Sequence, residues 1–211
     1  FSSDPRYTDV KSVKQAVDDA VHTGSTVIIF MNQVLPEYYD GNVTVADLQE
    51  VVNYVKAYSD QKLVSVMTIS EWYRWQITHF PVPGALPEPE PPEEPPEPPE
   101  PPEPPASPGT LLFTFDRGWQ SHYTNALPIL NSAGFTATAY VCRDYILSTN
   151  KGWMNLTQLR ALQQAGWDIG NMTVNYDTSG ATTVQKNLQK LLKSYQDNQK
   201  WLKSYANSPG A

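Results

Sequence analysis

The sequence has few of the residues that build metal centres and disulfide frameworks. Its 211 residues include a single cysteine, Cys142, and only three histidines. One cysteine excludes an internal disulfide and a cysteine-rich zinc site. The histidines, His22, His79 and His122, lie far apart without the spacing of metal ligands, so we expect each of them at the surface.

Positive charge and long apolar runs are also scarce. The formal net charge is -7, with 15 Lys and Arg against 22 Asp and Glu, so no nucleic-acid partner is expected. No stretch approaches the roughly 18 apolar residues of a membrane span. The start at Phe1, without an apolar leader, is typical of a processed amino terminus. Two sequons, at Asn42 and Asn155, agree with an extracellular or cell-surface location.

Proline and glutamate are concentrated between residues 81 and 109. Seven glutamates fall between Glu88 and Glu103, which equals the net negative charge of the whole chain. Pro-Pro-Glu repeats cannot supply the backbone donors of a helix or sheet and favour polyproline II. We predict a stiff solvated linker at 81–109 between two α/β segments, 1–80 and 110–211. A stalk, or a ligand for a proline-recognising domain, is the alternative.

Helices and strands alternate in the first segment. Apolar residues at helical spacing stop at Gly24, a residue suited to ending a helix. The apolar run at 26–31 then predicts a strand buried on both faces. A helix beginning after Thr44 precedes a second strand, predicted at 63–69.

The second segment repeats this alternation. The order of elements predicts a parallel sheet or a (β/α) barrel, in which sites form at the carboxyl ends of the strands. The predicted strands are 111–115, 136–142 and 167–170, and the predicted helices are 125–132, 155–165 and a last one with an apolar stripe from Val184 to Leu202.

Two motifs in the second segment resemble those of a known enzyme family. One runs Thr-Phe-Asp-Arg-Gly-Trp over 114–119, and the other runs Gly-Trp-Asp-Ile-Gly-Asn-Met-Thr over 166–173. Together they resemble the opening of a polysaccharide deacetylase domain of the NodB, or carbohydrate esterase family 4, type. The first segment is similar to the end of that domain, including Phe-Met-Asn-Gln-Val at 30–34. The halves are therefore in reversed order, and the middle of the family's domain has no counterpart.

The resemblance implies a parallel-stranded, (β/α) barrel-like NodB-type fold, incomplete or circularly permuted, and hydrolysis of acetyl groups on sugars with a divalent metal such as zinc. By position, Asp116 matches the family's base, and Asn32 stands in place of its acid histidine. The three metal positions are occupied by Arg117, Met172 and Tyr176. A guanidinium and a thioether are poor substitutes for ligands of a hard cation, so we predict no metal cofactor.

The same positions give expectations for the rest of the site. We expect Asp116 to form an ion pair with Arg117 that keeps the carboxylate ionised. Cys142 is expected to be a buried thiol without a catalytic partner. Carbohydrate is the expected partner of a groove lined by aromatic and amide side chains, although these could equally be packing left over from the parent fold. The groove candidates are Trp119, Tyr123, Tyr176 and Asn32.

Three functions are compatible with these features. The first is a catalytically silent deacetylase-like protein that binds glycans or serves as a scaffold. The second is a self-assembling subunit whose half-domains pair between neighbouring chains. The third is an active deacetylase or esterase, which would depend on Asp116. Redesign or truncation of an active domain would leave the same sequence pattern.

Overall fold

The computed structural model of the protein describes residues 9–38, 42–79, 108–175 and 184–206. All but the last two residues of the predicted linker, and also Tyr176, lie outside these ranges. The helices are α1 (Val10–Thr23), α2 (Val45–Asp60), α3 (Ile69–His79), α4 (Leu127–Ala133), α5 (Arg143–Ile146), α6 (Leu156–Gln164) and α7 (Val184–Trp201), with π-helical turns at His122–Ala126 and Leu202–Ala206. None of these described helices is long and apolar enough to cross a membrane.

Five parallel strands from both segments form one sheet. Strand β5 is central, with β1 along one edge and β6 followed by β7 on the other, while β4 pairs with the amino-terminal part of β5. A separate pair is formed by β2 and β3. The strands are β1 (Thr26–Met31), β2 (Val34–Leu35), β3 (Val43–Thr44), β4 (Val64–Val66), β5 (Gly109–Arg117), β6 (Thr138–Val141) and β7 (Asp168–Asn171).

The hydrophobic core lies on one face of this sheet, against α1, α2, α4 and α6. Alternate residues of each strand point to this face, because side chains in a strand alternate between its two sides. Helix α1 packs so closely that a Cβ at Gly109 would lie 2.6 Å from the carbonyl oxygen of Ala20. The buried strand residues of the core include Ile29, Met31, Leu111, Phe113, Phe115, Ala139, Val141 and Ile169.

Helix ends follow the local sequence signals. Asp9 caps α1 by accepting a hydrogen bond from the Ser12 amide, and Gly24 ends the helix with a φ of 67°. Thr44 caps α2 through the Asp47 amide. Asn155 and Gln158 form a reciprocal capping box at the start of α6.

The predicted strand at 63–69 is wrong in its second half. Strand β4 ends at Val66, and α3 begins at Ile69. The cause is a capping box: the Thr68 amide donates to Glu71 Oε2, and the Glu71 amide donates to Thr68 Oγ1. These reciprocal bonds stabilise a helix start immediately after the apolar run.

Strand β1 is not buried on both faces as predicted. Ile28 is 54% exposed and Phe30 is 39% exposed, whereas Ile29 and Met31 are buried in the core. We call the side that carries Ile28 and Phe30 the open face. In the described part of the chain, α1 packs on the opposite side of β1, whereas Ile28 and Phe30 stay exposed. The apolar run therefore does not indicate burial on both faces.

Helix α3 lies at the amino-terminal end of the open face. The Trp72 indole donates to Thr26 Oγ1, the Ile69 amide to Thr138 Oγ1, and the Ser70 amide to Asp168 Oδ2. The three acceptors are the first residues of β1, β6 and β7. The carboxyl ends of the same strands lie at the opposite end of the sheet.

Candidate functional site

The carboxyl ends of β1, β5 and β7 bring together most of the predicted site residues. Asp116 and Arg117 end β5, and Met172 follows β7. Asn32 follows Met31, whose register partner is Phe115, so Asn32 comes level with Asp116. Residues far apart in the sequence therefore meet at one end of the sheet, as the parallel topology predicts.

Asp116 is buried and not strongly ionised. Burial raises the pKa of Asp116 to about 7, because desolvation disfavours the carboxylate more than the neighbouring positive charge of Arg117 favours it. The pKa of Asp116 is therefore raised, whereas the predicted ion pair with Arg117 would have lowered it. Asp116 is only 6% exposed, which is why desolvation prevails.

A tyrosine and a glycine continue the row across the sheet. Tyr140 is the register partner of Asp116, and Gly170 is the partner of Tyr140. A Cβ at Gly170 would lie 2.5 Å from Cδ1 of Tyr140, so only glycine leaves room for that ring. Burial, together with the charges of Asp116 and Asp168, raises the pKa of Tyr140. The phenol therefore stays protonated beside the carboxyl group.

The residues in the family's metal positions do not fit a divalent cation. Arg117 has a left-handed backbone with φ of 71°, and its amide donates to Sδ of Met172 at 3.2 Å. The Cys142 thiol donates to the Met172 carbonyl at 3.1 Å. Met172 thus bonds to protein groups, and Arg117 is itself a cation. Within the described ranges, no group of three or more His, Cys, Asp and Glu side chains converges.

Three aromatic rings stack beside these strand ends. The rings of Trp119 and Trp153 have centroids 3.7 Å apart, and those of Trp153 and Tyr145 are 4.1 Å apart. All three side chains are half-buried. We call Trp119, Trp153 and Tyr145 the aromatic stack. It is joined to β1 because the Trp119 indole donates to Asn32 Oδ1 at 2.6 Å.

His122 is buried, so its predicted surface location is wrong. It is 0% exposed, and its Nε2 lies 2.6 Å from the carbonyl oxygen of Asn32. Nδ1 has no hydrogen-bond partner among the described residues. Desolvation lowers the pKa of His122 to about 4, so the ring is neutral and Nε2 carries the proton. The expected surface positions of His22 and His79 are confirmed.

Tyr123 and Tyr176 do not join this constellation in the part of the chain that is described. Tyr123 is half-buried and packs against the hydrophobic core. Tyr176, predicted in the groove and in a metal position, lies outside the described residues. Of the four predicted groove residues, the structure therefore brings Trp119 and Asn32 together. The buried location predicted for Cys142 is confirmed.

The profile of the polysaccharide deacetylase family matches residues 103–209, just over half of the chain. The chain belongs to the polysaccharide deacetylase family. No curated protein sequence matches this family member.

Solved structures share the fold of this deacetylase-family chain at low identity. The Streptococcus pyogenes deacetylase PplD, solved with acetate, has a TM-score of 0.61 and 15% identity over 88% of this chain and 70% of its own. IcaB from Ammonifex degensii has a TM-score of 0.62 and 14% identity over 88% and 71%. BC0361, a polysaccharide deacetylase from Bacillus cereus, has a TM-score of 0.58 and 14% identity over 88% of this chain and 48% of its own. The predicted NodB-type α/β fold is confirmed.

Several residues of the site escaped the sequence reasoning. Trp153 and Tyr145 lie in the connection between β6 and α6, outside the motifs that carry the family resemblance. His122 has no ligand spacing to another histidine, and no local pattern around it indicates burial. No local pattern separates Trp153 and Tyr145 from the other aromatic residues of the chain, so the aromatic stack has no signal in the sequence.

Proposed function

We propose that this member of the polysaccharide deacetylase family binds glycans without hydrolysing them. The observation that carries this proposal is the aromatic stack hydrogen-bonded to Asn32 at the carboxyl ends of the strands. Clefts at this end of parallel sheets are the usual location of ligand sites.

The local chemistry supports loss of catalysis. Hydrolysis in the family relies on a divalent metal, and Arg117 and Met172 occupy two of its ligand positions. Asn32 replaces the acid histidine, and an amide cannot donate a proton to a leaving group near neutral pH. Asp116 can accept a proton, but the described part of the site holds no cluster of ligands for a metal that would polarise an acetyl carbonyl. We therefore assign Asp116 no catalytic role.

The same chemistry supports carbohydrate as the ligand. Aromatic rings offer broad apolar surfaces, and their polar atoms provide hydrogen bonds at the edges. Asn32 adds an amide, and Asp116, when protonated, adds a hydroxyl donor. A sugar ring presents both apolar C–H groups and hydroxyls, so it matches this mixture of surfaces.

Titration with chitotetraose tests the proposal. We expect saturable quenching of tryptophan fluorescence and a matching heat signal by calorimetry. Trp153→Ala should lower the affinity about tenfold, because Trp153 lies between Trp119 and Tyr145 and its loss separates the outer rings on which a sugar would stack. Stacking on an aromatic ring contributes about 1–3 kcal/mol in other ligands with flat faces. The matched control is Trp75→Ala on α3, at the other end of the sheet. No saturable binding by the wild-type protein, or equal loss in both variants, would contradict the proposal.

Residual hydrolysis is tested separately. We expect the protein to release no acetate from an acetylated chromogenic ester beyond the buffer rate. Asp116→Ala is the control variant, because an esterase using Asp116 as its base would lose its rate in that variant. A wild-type rate above that of Asp116→Ala would favour the active-enzyme alternative.

Self-association is a second candidate function, favoured by the open face. Ile28 and Phe30 are exposed there, and within the described residues β1 pairs with a strand on one side only. An apolar, unpaired edge strand is a site for pairing with another chain. Sedimentation over a wide concentration range should then show dimers or larger species that Phe30→Ser disperses, whereas Tyr38→Ser, at another exposed aromatic residue, should not. A monomer at all concentrations would exclude this function.

An extracellular or cell-surface location also remains our proposal. Of the two sequons, Asn155 is exposed. Asn42 is 6% exposed, and its side-chain amide donates to the carbonyl oxygens of Glu37 and Val43. Secretion is therefore supported by one sequon, at Asn155, rather than by two.

A further inference from the structure

Four side chains that follow β5 hold the short segment that follows β1. Trp119 and His122 bond to Asn32, through its side chain and its carbonyl oxygen respectively. Ser121 Oγ accepts from the Val34 amide at 3.1 Å, and Asn125 Nδ2 donates to the Val34 carbonyl at 2.6 Å. The backbone beyond β1 is thus fixed by side chains of one neighbouring turn. His122 and Asn125 belong to the π-helical turn His122–Ala126, a form often found at functional sites.

The bond from Trp119 fixes which way the Asn32 amide points. An indole N–H is a donor and never an acceptor, so the atom facing it must be Oδ1 of Asn32. The side-chain nitrogen of Asn32 therefore points away from Trp119. Asn32 is half-buried, and among the described residues its side chain bonds to Trp119 through Oδ1 while no bond from Nδ2 is found. The side-chain nitrogen is therefore the part of Asn32 left to bind a ligand.

His122 fixes the backbone from which this side chain extends. The ring is fully buried and neutral, so Nε2–H donates to the Asn32 carbonyl while Phe115 packs against the ring at 5.2 Å between centroids. A buried ring held on both sides has little freedom to move. His122 therefore sets the backbone position of Asn32, and Trp119 sets the orientation of its side chain.

We infer that Asn32 is a preoriented hydrogen-bond donor to an acceptor oxygen of the bound glycan, with Trp119 and His122 as its positioning residues. The inference rests on the proposed function, since it assigns a role within the glycan site. Trp119 then has two roles, because its ring belongs to the aromatic stack and its N–H orients Asn32. A donor that is already oriented binds without the entropic cost of being ordered by the ligand.

Two substitutions of Asn32 separate the donor from other effects. Asn32→Asp keeps an oxygen for Trp119 but removes the donor, and Asn32→Leu removes both without adding charge. We expect each to weaken chitotetraose binding about tenfold, as for the loss of one hydrogen bond in a desolvated site. Asn53→Asp, on the exposed side of α2, is the control for added charge. Unchanged affinity in Asn32→Asp would overturn the inference. So would weaker binding by Asn32→Asp together with normal binding by Asn32→Leu, because the added charge and not the lost donor would then explain the loss.

The positioning role needs a measurement that does not depend on affinity alone. In an ¹H–¹⁵N NMR spectrum, the Trp119 indole proton should move upfield in Asn32→Leu, because its hydrogen bond is lost, and stay close to its wild-type shift in Asn32→Asp. Trp119→Phe retains ring stacking, so it should lower affinity severalfold while ligand quenching of Trp153 persists. An indole shift that is the same in all three Asn32 forms would overturn the inference.

Failure of the inference can be distinguished from failure of the proposed function. If the wild-type protein does not bind chitotetraose, the proposed function fails, and the donor role of Asn32 fails with it. If it binds and the Asn32 variants bind equally well, only the donor role fails. Thermal unfolding of each variant establishes that the altered binding is measured on folded protein.

Discussion

The pH dependence of stability offers a quantitative test of how Asp116 and His122 are buried. Burial raises the pKa of Asp116 from 3.8 to about 7 and lowers the pKa of His122 from 6.5 to about 4. The two shifted groups therefore change the free energy of unfolding in opposite directions over the same pH range. The test is to remove the titration of Asp116 with the substitution Asp116→Asn and to measure the free energy of unfolding against pH.

The sign follows from which state binds the proton more tightly. Between pH 3.8 and about 7 the folded protein holds a proton on Asp116 that the unfolded chain releases, so this group's stabilising contribution is lost as pH rises through about 7. His122 behaves in the opposite way. Its contribution is complete above pH 6.5 and is lost as pH falls toward about 4, because the unfolded chain then binds the proton and the folded protein does not.

The magnitudes are comparable. For fully buried His122, the change from 6.5 to about 4 corresponds to roughly 3 kcal/mol. For Asp116 the change from 3.8 to about 7 sets an upper limit of roughly 4 kcal/mol, and relaxation of the protein around the buried carboxylate reduces this to about 2 kcal/mol. The two groups therefore nearly cancel in the wild-type protein between pH 4 and 6.5.

Urea unfolding at a series of pH values from 4.5 to 7.5 is the assay, since most of the range between the folded and unfolded pKa values of Asp116 lies between these limits. The free energy of unfolding of Asp116→Asn, relative to wild type, should rise by about 2 kcal/mol across the series. Asp60→Asn is the control, because Asp60 is exposed and pairs with Lys56. A relative stability that stays flat, or that falls as pH rises, would refute the burial argument and favour an ion pair between Asp116 and Arg117.

Three further outcomes are expected. Gly109→Ala should lower the thermal midpoint of unfolding by several degrees, because the new Cβ would meet the carbonyl of Ala20. Gly152→Ala is the control and should change the midpoint little, since its Cβ would lie 3.3 Å from a side-chain atom. Equal effects of the two substitutions would contradict the packing of α1. Secretion from a eukaryotic host should give a glycan on Asn155 and none on Asn42, and peptide mapping that finds folded protein modified at Asn42 would contradict the buried amide. Zinc or a chelator should leave the thermal midpoint unchanged, and stabilisation that rises with zinc would show a metal site.

Helix ends were predicted well where a cap or a glycine within a few residues sets them. Gly24 ends α1 and Asn155 caps α6 because αL conformation and side-chain capping are decided within a few residues. The start of α3 is equally local, because the capping box of Thr68 and Glu71 ends the extended backbone that the apolar run at 63–69 predicts. A cap thus prevails over a hydrophobic pattern at this position.

Exposure was not predictable from the same patterns. The apolar run of β1 indicated burial on both faces, yet among the described residues α1 packs on one side only and leaves Ile28 and Phe30 exposed. His122 was expected at the surface, yet it is fully buried under Asn32. In each case the answer depends on what packs against the residue from a distant part of the chain.

The family, the parallel α/β fold and the residues that occupy the family's site positions follow from motifs and periodicity along the chain. The chemistry of those positions depends instead on contacts between distant segments. The ionisation of Asp116 and the orientation of Asn32 depend on desolvation and on donors more than eighty residues away in sequence, as in the bond from Trp119 to Asn32. Such contacts have no local sequence signature, because burial and hydrogen-bond geometry arise only when the strands are brought together.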